Sequence, residues 1–287
     1  MTQGESMVTL DEIREAVLKE EEFATMPHIA MKVMEMAEDP DVSASDLEKV
    51  ISYDQVLAAE ILKLANSPLY SPRQPIVSLK HAISYLGMAV IRSLTVMIAL
   101  RSLYVSNKDK SHLWSDLWRH SAASAVVNRS IAMALKKKIL NAEEMFILGL
   151  LHDFGKVVLL KLYPDEYEKV VDRLIEESKS YYEVEKEVLG VTHAEVGAMV
   201  LGLWGLPLEI VNAVGKHHDR PEDAMVAAVR LSNIFCATWG YSVVNPISEL
   251  EYFKEALNLL ELDEDRWKEM GEEIHERLKE CDVIVGV

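Results

Sequence analysis

The chain has 287 residues, with 47 acidic against 30 basic side chains and a formal net charge of −17. Such a surface repels phosphate backbones and argues against nucleic acid as a partner. Cys236 and Cys281 are the only cysteines, too few for a disulfide framework or a thiolate zinc motif, which fits a reducing cytoplasm.

In chain order, residues 1–23 read as a polar N-terminal extension without the apolar core of a signal peptide. Residues 24–104 read as a first helical lobe, punctuated by the loop signals Asp39-Pro40, Ser67-Pro68 and Ser71-Pro72. Within it, Ser45 followed by Glu48 reads as a capping box opening a helix at Asp46. Ile51, Leu57, Ile61, Leu62 and Leu64 form one apolar stripe. Ile83, Leu86, Val90, Leu94, Met97 and Ile98, at spacings of three and four residues, read as the stripe of one core-facing helix. Residues 45–66 loosely mimic a helix-turn-helix, but Asp46, Glu48, Asp54 and Glu60 offset Lys49 and Lys63, so the reading helix is not basic. The apolar stretch from Leu94 to Leu100 is too short to span a bilayer, and no membrane segment is expected.

The polar stretch from Ser106 to Ser111 reads as a connection to a second lobe, residues 113–240. A charged helical tail, residues 241–287, follows it, with acidic helices expected from Glu249 to Glu280. Sustained strand alternation is absent. The expected fold is all-α, a two-lobed helical bundle of about a dozen helices.

Chemistry concentrates in the second lobe. Five of the nine histidines lie there: His120, His152, His193, His217 and His218. His152 and Asp153 interrupt the apolar run from Phe146 to Leu160, and burying an imidazole beside a carboxylate is costly unless they are paired or bind a cation. Each residue has a plain alternative reading. His120 can be a satisfied core group, and Asp153 a helix cap. His217 and His218, at the end of a helix over 208–216, can serve its dipole. Thr192 reads as the N-cap of a helix opening at His193. Gly155 reads as a close approach or a break. Taken together, the five histidines and Asp153 read as a metal site. Imidazole with carboxylate and no thiolate suits iron first, with manganese, zinc or nickel as alternatives. Five histidines exceed what one metal takes from protein, so two divalent metal ions sharing Asp153 are expected. Lys156 either steadies a phosphate, which would make it catalytic, or pairs with Asp153.

The order His120, His152-Asp153, His193, His217-His218 resembles the HD superfamily, and the flanking sequence is most similar to its HDOD family, the HD-related output domain. The resemblance is carried by Leu64-Ala65-Asn66-Ser67, Ser78-Leu79-Lys80-His81-Ala82-Ile83, Leu117-Trp118-Arg119-His120-Ser121, Gly149-Leu150-Leu151-His152-Asp153-Phe154-Gly155-Lys156 and Gly190-Val191-Thr192-His193-Ala194-Glu195. It covers roughly residues 24 to 240. It implies a cytoplasmic bacterial signalling role, with His120, His152, Asp153, His193, His217 and His218 as metal ligands. Two departures stand against catalysis. Asn233 occupies the place of a final metal-binding aspartate, and the Gly-Tyr-Pro signature of the related cyclic-dinucleotide phosphodiesterases is missing after His218. Glu185 reads as an extra bridging carboxylate or as surface helix. The expected function is therefore regulatory, through a signalling protein partner or a nucleotide-type small ligand. The alternative is a metal-dependent phosphohydrolase acting on a nucleotide or cyclic dinucleotide, with Lys156 or Arg119 steadying the leaving charge.

Overall fold

The computed structural model describes residues 7–39, 41–105, 112–135, 139–177, 179–242 and 250–280. Pro40, the expected connection 106–111 and the end of the tail lie outside the described residues.

The fold is all helical. Seventeen helices are described, with no strand among the described residues. In order they are α1 (Leu10–Lys19), α2 (Glu21–Ala24), α3 (His28–Glu38), α4 (Ala44–Ser52), α5 (Gln55–Ala65), α6 (Leu79–Leu86) and α7 (Met88–Val105). Then come α8 (His112–Ala134), α9 (Ala142–Leu151), α10 (Phe154–Leu162), α11 (Pro164–Glu176), α12 (Tyr181–Val188) and α13 (His193–Leu203). The remainder are α14 (Leu208–Lys216), α15 (Ala224–Trp239), α16 (Phe253–Leu259) and α17 (Glu264–Lys279).

Local sequence explains where these helices start. Thr192 caps α13 in a reciprocal box with Glu195, and Asp223 caps α15 through the backbone N–H groups of Met225 and Val226. The expected box at Ser45 and Glu48 is two residues off. Ser43 is the N-cap of α4 and exchanges hydrogen bonds with Asp46. Ser43 has the extended backbone a cap requires, whereas Ser45 already lies inside the helix.

Two apolar clusters organise the packing. The smaller is aliphatic throughout, built around Val33, Leu47, Ile51, Leu57, Ile61 and Ile83 from α3 to α6, with Ile91 from α7. The larger runs through the rest of the chain and includes Trp118, Phe146, Phe154 and Phe235. Helix α7 belongs to both, since Leu94, Met97 and Leu100 join the larger cluster. The N-terminal segment also belongs to the larger core. Ile13, Val17 and Phe23 are buried, and the Trp204 indole donates to the Phe23 carbonyl at 2.9 Å. Among the described residues, no single helix is long and apolar enough to cross a membrane. The apolar pair α6–α7 is bent by 118° at Gly87, whose φ of 86° an L side chain would resist.

Candidate metal centre

Five helices deliver the polar residues of the second lobe to one point. His120 comes from the middle of α8, and His152 caps the C-terminus of α9. Asp153 sits with His152 in the two-residue corner before α10, His193 opens α13, and His217 and His218 follow α14. The corner solves the problem of neighbouring residues on one helix, which point about 100° apart. His152 and Asp153 straddle a break, so both face inward. Gly155 is required there: a Cβ would lie 1.9 Å from the His193 carbonyl oxygen, so only glycine lets α10 meet α13 this closely.

Asp153 is the hub. Its Oδ2 lies 3.2 Å from His120 Nε2 and 3.6 Å from His152 Nε2. Its Oδ1 lies 3.2 Å from His193 Nε2 and 3.5 Å from His217 Nε2. The ligand-type atoms therefore fall into two groups that share one carboxylate, His120–His152–Asp153 and Asp153–His193–His217–His218, each spanning no more than 4.8 Å. Sequence reasoning expected these six residues together, and the structure brings them together; all are buried except half-buried His218.

The outer nitrogen of each imidazole tests whether a cation fits. His120 Nδ1 lies 3.1 Å from the Tyr241 carbonyl, His152 Nδ1 2.8 Å from that of Gly149, and His217 Nδ1 2.6 Å from that of Val214. Carbonyls accept only, so each Nδ1 donates, and in the neutral ring this leaves a lone pair on Nε2. These Nε2 atoms crowd together: His120 and His152 at 3.2 Å, His193 and His217 at 3.2 Å, His193 and His218 at 2.8 Å. Asp153 Oδ1 is buried without a hydrogen-bond partner. Converging lone pairs and an orphaned carboxylate oxygen need a shared positive charge, and a divalent metal with imidazole and carboxylate ligands supplies it.

The electrostatics agree. Burial and the neighbouring imidazoles hold His218 well below the usual histidine range. Burial is also the leading cause of the lowered values of His152 and His217. Burial opposes charge on His193 and His120 too, but it is outweighed by Glu185 and Asp153 together at His193, and by Cys236 and Asp153 together at His120, so both groups are raised. Burial alone would raise the Asp153 carboxyl; the Lys156 ammonium and the imidazoles hold it well below the carboxylate range instead.

Four residues depart from, or add to, the sequence expectation. Glu185 is neither surface helix nor a bridging ligand. It is fully buried, and its Oε2 accepts from both Nδ1 and the backbone N–H of His193, at 2.7 and 2.8 Å. Such a carboxylate fixes the tautomer and raises the basicity of a ligand. The signal was its place beside Val184 and one turn after Tyr181, on the buried face of α12. Arg119 does not reach the centre: its guanidinium donates to the Gly240 carbonyl at 2.9 Å and stacks over the Tyr241 ring. Lys156 pairs with Asp153 Oδ2 at 2.7 Å and sits 3.8 Å above the Tyr181 ring. Asn233 is buried on α15 with an unpartnered Oδ1, one turn before Cys236, which lies beside His120. Sequence reasoning missed the neighbourhood of Cys236. It also missed Arg230, which holds the step after His218 by donating to the carbonyls of His218 and Asp219.

The HDOD domain family matches residues 23–220. The chain belongs to the HDOD family. Among solved structures, an HDOD domain protein of unknown function from Geobacter sulfurreducens is 28% identical, with 96% of each chain covered and a TM-score of 0.77. A candidate metal-dependent phosphohydrolase from Shewanella amazonensis SB2B shares the fold at 20% identity, covering 92% of this chain and 98% of its own, with a TM-score of 0.62. Among curated proteins, an uncharacterized protein of Treponema pallidum is 27% identical over 202 residues, 70% of this chain. The chain spans only 38% of that relative's length. This HDOD protein therefore pairs its family's helical fold with a buried His/Asp cluster able to hold metal.

Proposed function

We propose that this HDOD protein is a regulatory module of bacterial cytoplasmic signalling whose second lobe holds two divalent metal ions, iron first. His120, His152 and Asp153 would hold one, and Asp153, His193, His217 and His218 the other. The observation that carries the reading is Asp153, with one oxygen facing each group of imidazoles in a buried site. Bound metal would supply the positive charge that the converging nitrogens need and so order the second lobe. The chain's own residues prepare for it. Glu185 and the carbonyls of Gly149 and Val214 orient the rings, while Lys156 balances the Asp153 charge. The partner would be a signalling protein or a nucleotide-type ligand. A Marinobacter aquaeolei structure described as a candidate signal transduction protein shares the fold, with a TM-score of 0.79.

The second reading, a phosphohydrolase, is favoured by the shared carboxylate, since a bridged pair of metals can clamp a phosphate and lower the pKa of water. Burial and Asn233 weigh against it: asparagine offers a neutral oxygen where a carboxylate would add charge. The deciding experiment loads the protein with iron(II) or manganese(II) and assays bis(p-nitrophenyl) phosphate and cyclic dinucleotides. The regulatory reading expects no turnover above that of His152→Ala. Turnover that disappears in His152→Ala would overturn it in favour of the hydrolase.

A further inference from the structure

A cavity of about 440 Å³ lies away from the metal centre, where α3 and α4 meet the N-terminal turns of α7 and α9. This is the size of a small-molecule site. Val33, Met36, Leu47 and Met88 give it an apolar wall. Arg92, in the second turn of α7, is its cation and is half-buried on the cavity wall. The first turn of α7, at Met88 and Ala89, also lines the cavity, and helix N-termini favour negative charge, whereas that of α9 is already capped by Asn141, whose Oδ1 accepts from the Glu143 and Glu144 N–H groups.

We infer that this cavity binds a small amphiphilic carboxylate, its carboxylate on Arg92 and its apolar body against Val33, Met36, Leu47 and Met88. The balance of charge selects one negative group. Arg92 supplies a planar donor pair matched to a carboxylate, while Glu144 on the same wall repels a second negative charge. A nucleotide therefore suits this cavity poorly. The apolar wall supplies affinity through burial, and the methionines adapt to the shape of the chain. The inference is independent of the metal centre.

The test uses the full chain and sodium octanoate, followed by isothermal titration calorimetry and ligand-observed NMR, with 1-octanol as the uncharged control. Octanoate should bind with a stoichiometry of one. Octanol should bind at least about tenfold more weakly, the size expected for a lost charge-assisted pair. Arg92→Met, which keeps the volume and removes the charge, should bring octanoate to the level of octanol. Ala89→Trp, placed at the exposed rim of α7, should abolish binding by filling the cavity; its exposure keeps the fold safe, which a melting curve checks. No octanoate binding, equal binding of octanol, or binding unchanged in Ala89→Trp would each overturn the inference.

Discussion

The two ends of this molecule are built on opposite principles. In the cluster of α3 to α6 the interior is aliphatic, and before residue 120 the buried polar residues among those described are the uncharged Ser67, Ser93 and Thr95. Between residues 120 and 233 the interior holds His120, Glu143, His152, Asp153, Lys156, Glu185, His193, His217 and Arg230. The first region is stabilised by burying apolar area. The second gives up that gain around a set of charges stable only when mutually satisfied. Such a concentration of preorganised polar groups marks a site rather than a scaffold.

The sharpest way to break this contrast is Asp153→Ala. It leaves the Lys156 ammonium buried without its carboxylate, which should cost about 3–5 kcal/mol and remove bound metal. Denaturant unfolding and elemental analysis check both effects. Ile61→Ala in the first cluster should cost about 2–5 kcal/mol by leaving a cavity, yet keep the full metal content. Metal lost in Ile61→Ala would erase the distinction between the regions.

Gly155→Ala tests the corner that aims His152 and Asp153. Its Cβ meets the backbone of His193, so we expect about 1–3 kcal/mol of destabilisation and weaker metal binding. Glu185→Gln is milder in stability but should lower metal affinity roughly 10- to 100-fold, because His193 loses its carboxylate partner. Competition with a chelator of known affinity measures it.

Acid should also separate the regions. His152 and His217 are held neutral by burial, their pKa values lowered in the folded protein. For these two groups the unfolded chain takes up protons near pH 6.5 that the folded site refuses, so their contribution to metal-free stability falls as pH drops from about 7 to 5; His120 and His193, raised in the folded protein, act in the opposite sense only above about pH 6.5. The slope is at most about 1.4 kcal/mol per pH unit per group. His152→Phe should flatten that slope; Ile61→Ala should leave it unchanged.

Much of the centre was legible because its residues are out of place. His152-Asp153 within an apolar run, and His193 after a capping threonine, are chemically conspicuous. Glu185 was not, because Glu183, Lys186 and Glu187 around it make the segment look like any solvated helix. Only the turn-by-turn placement of Tyr181, Val184 and Glu185 shows which face is buried. Arg119 was misjudged for a related reason. One residue along α8 from His120 it points about 100° away, toward Gly240 and Tyr241. The start of α4 was missed because two serines, Ser43 and Ser45, compete as caps and pattern alone does not rank them. The helical fold itself needed only the apolar stripes. The stripe from Ile83 to Ile98 nevertheless reads as one helix where the structure has two: Ile83 lies on α6, and Val90, Leu94 and Met97 lie on α7 beyond the bend at Gly87.

The central claim is that Asp153 and the five imidazoles bind metal. Its most direct test is elemental analysis of protein purified without a histidine tag, beside His152→Ala prepared the same way. The account predicts about two equivalents of divalent metal per chain, with loss in the variant. No metal above background, with His152→Ala folded and no less stable than the parent, would contradict it.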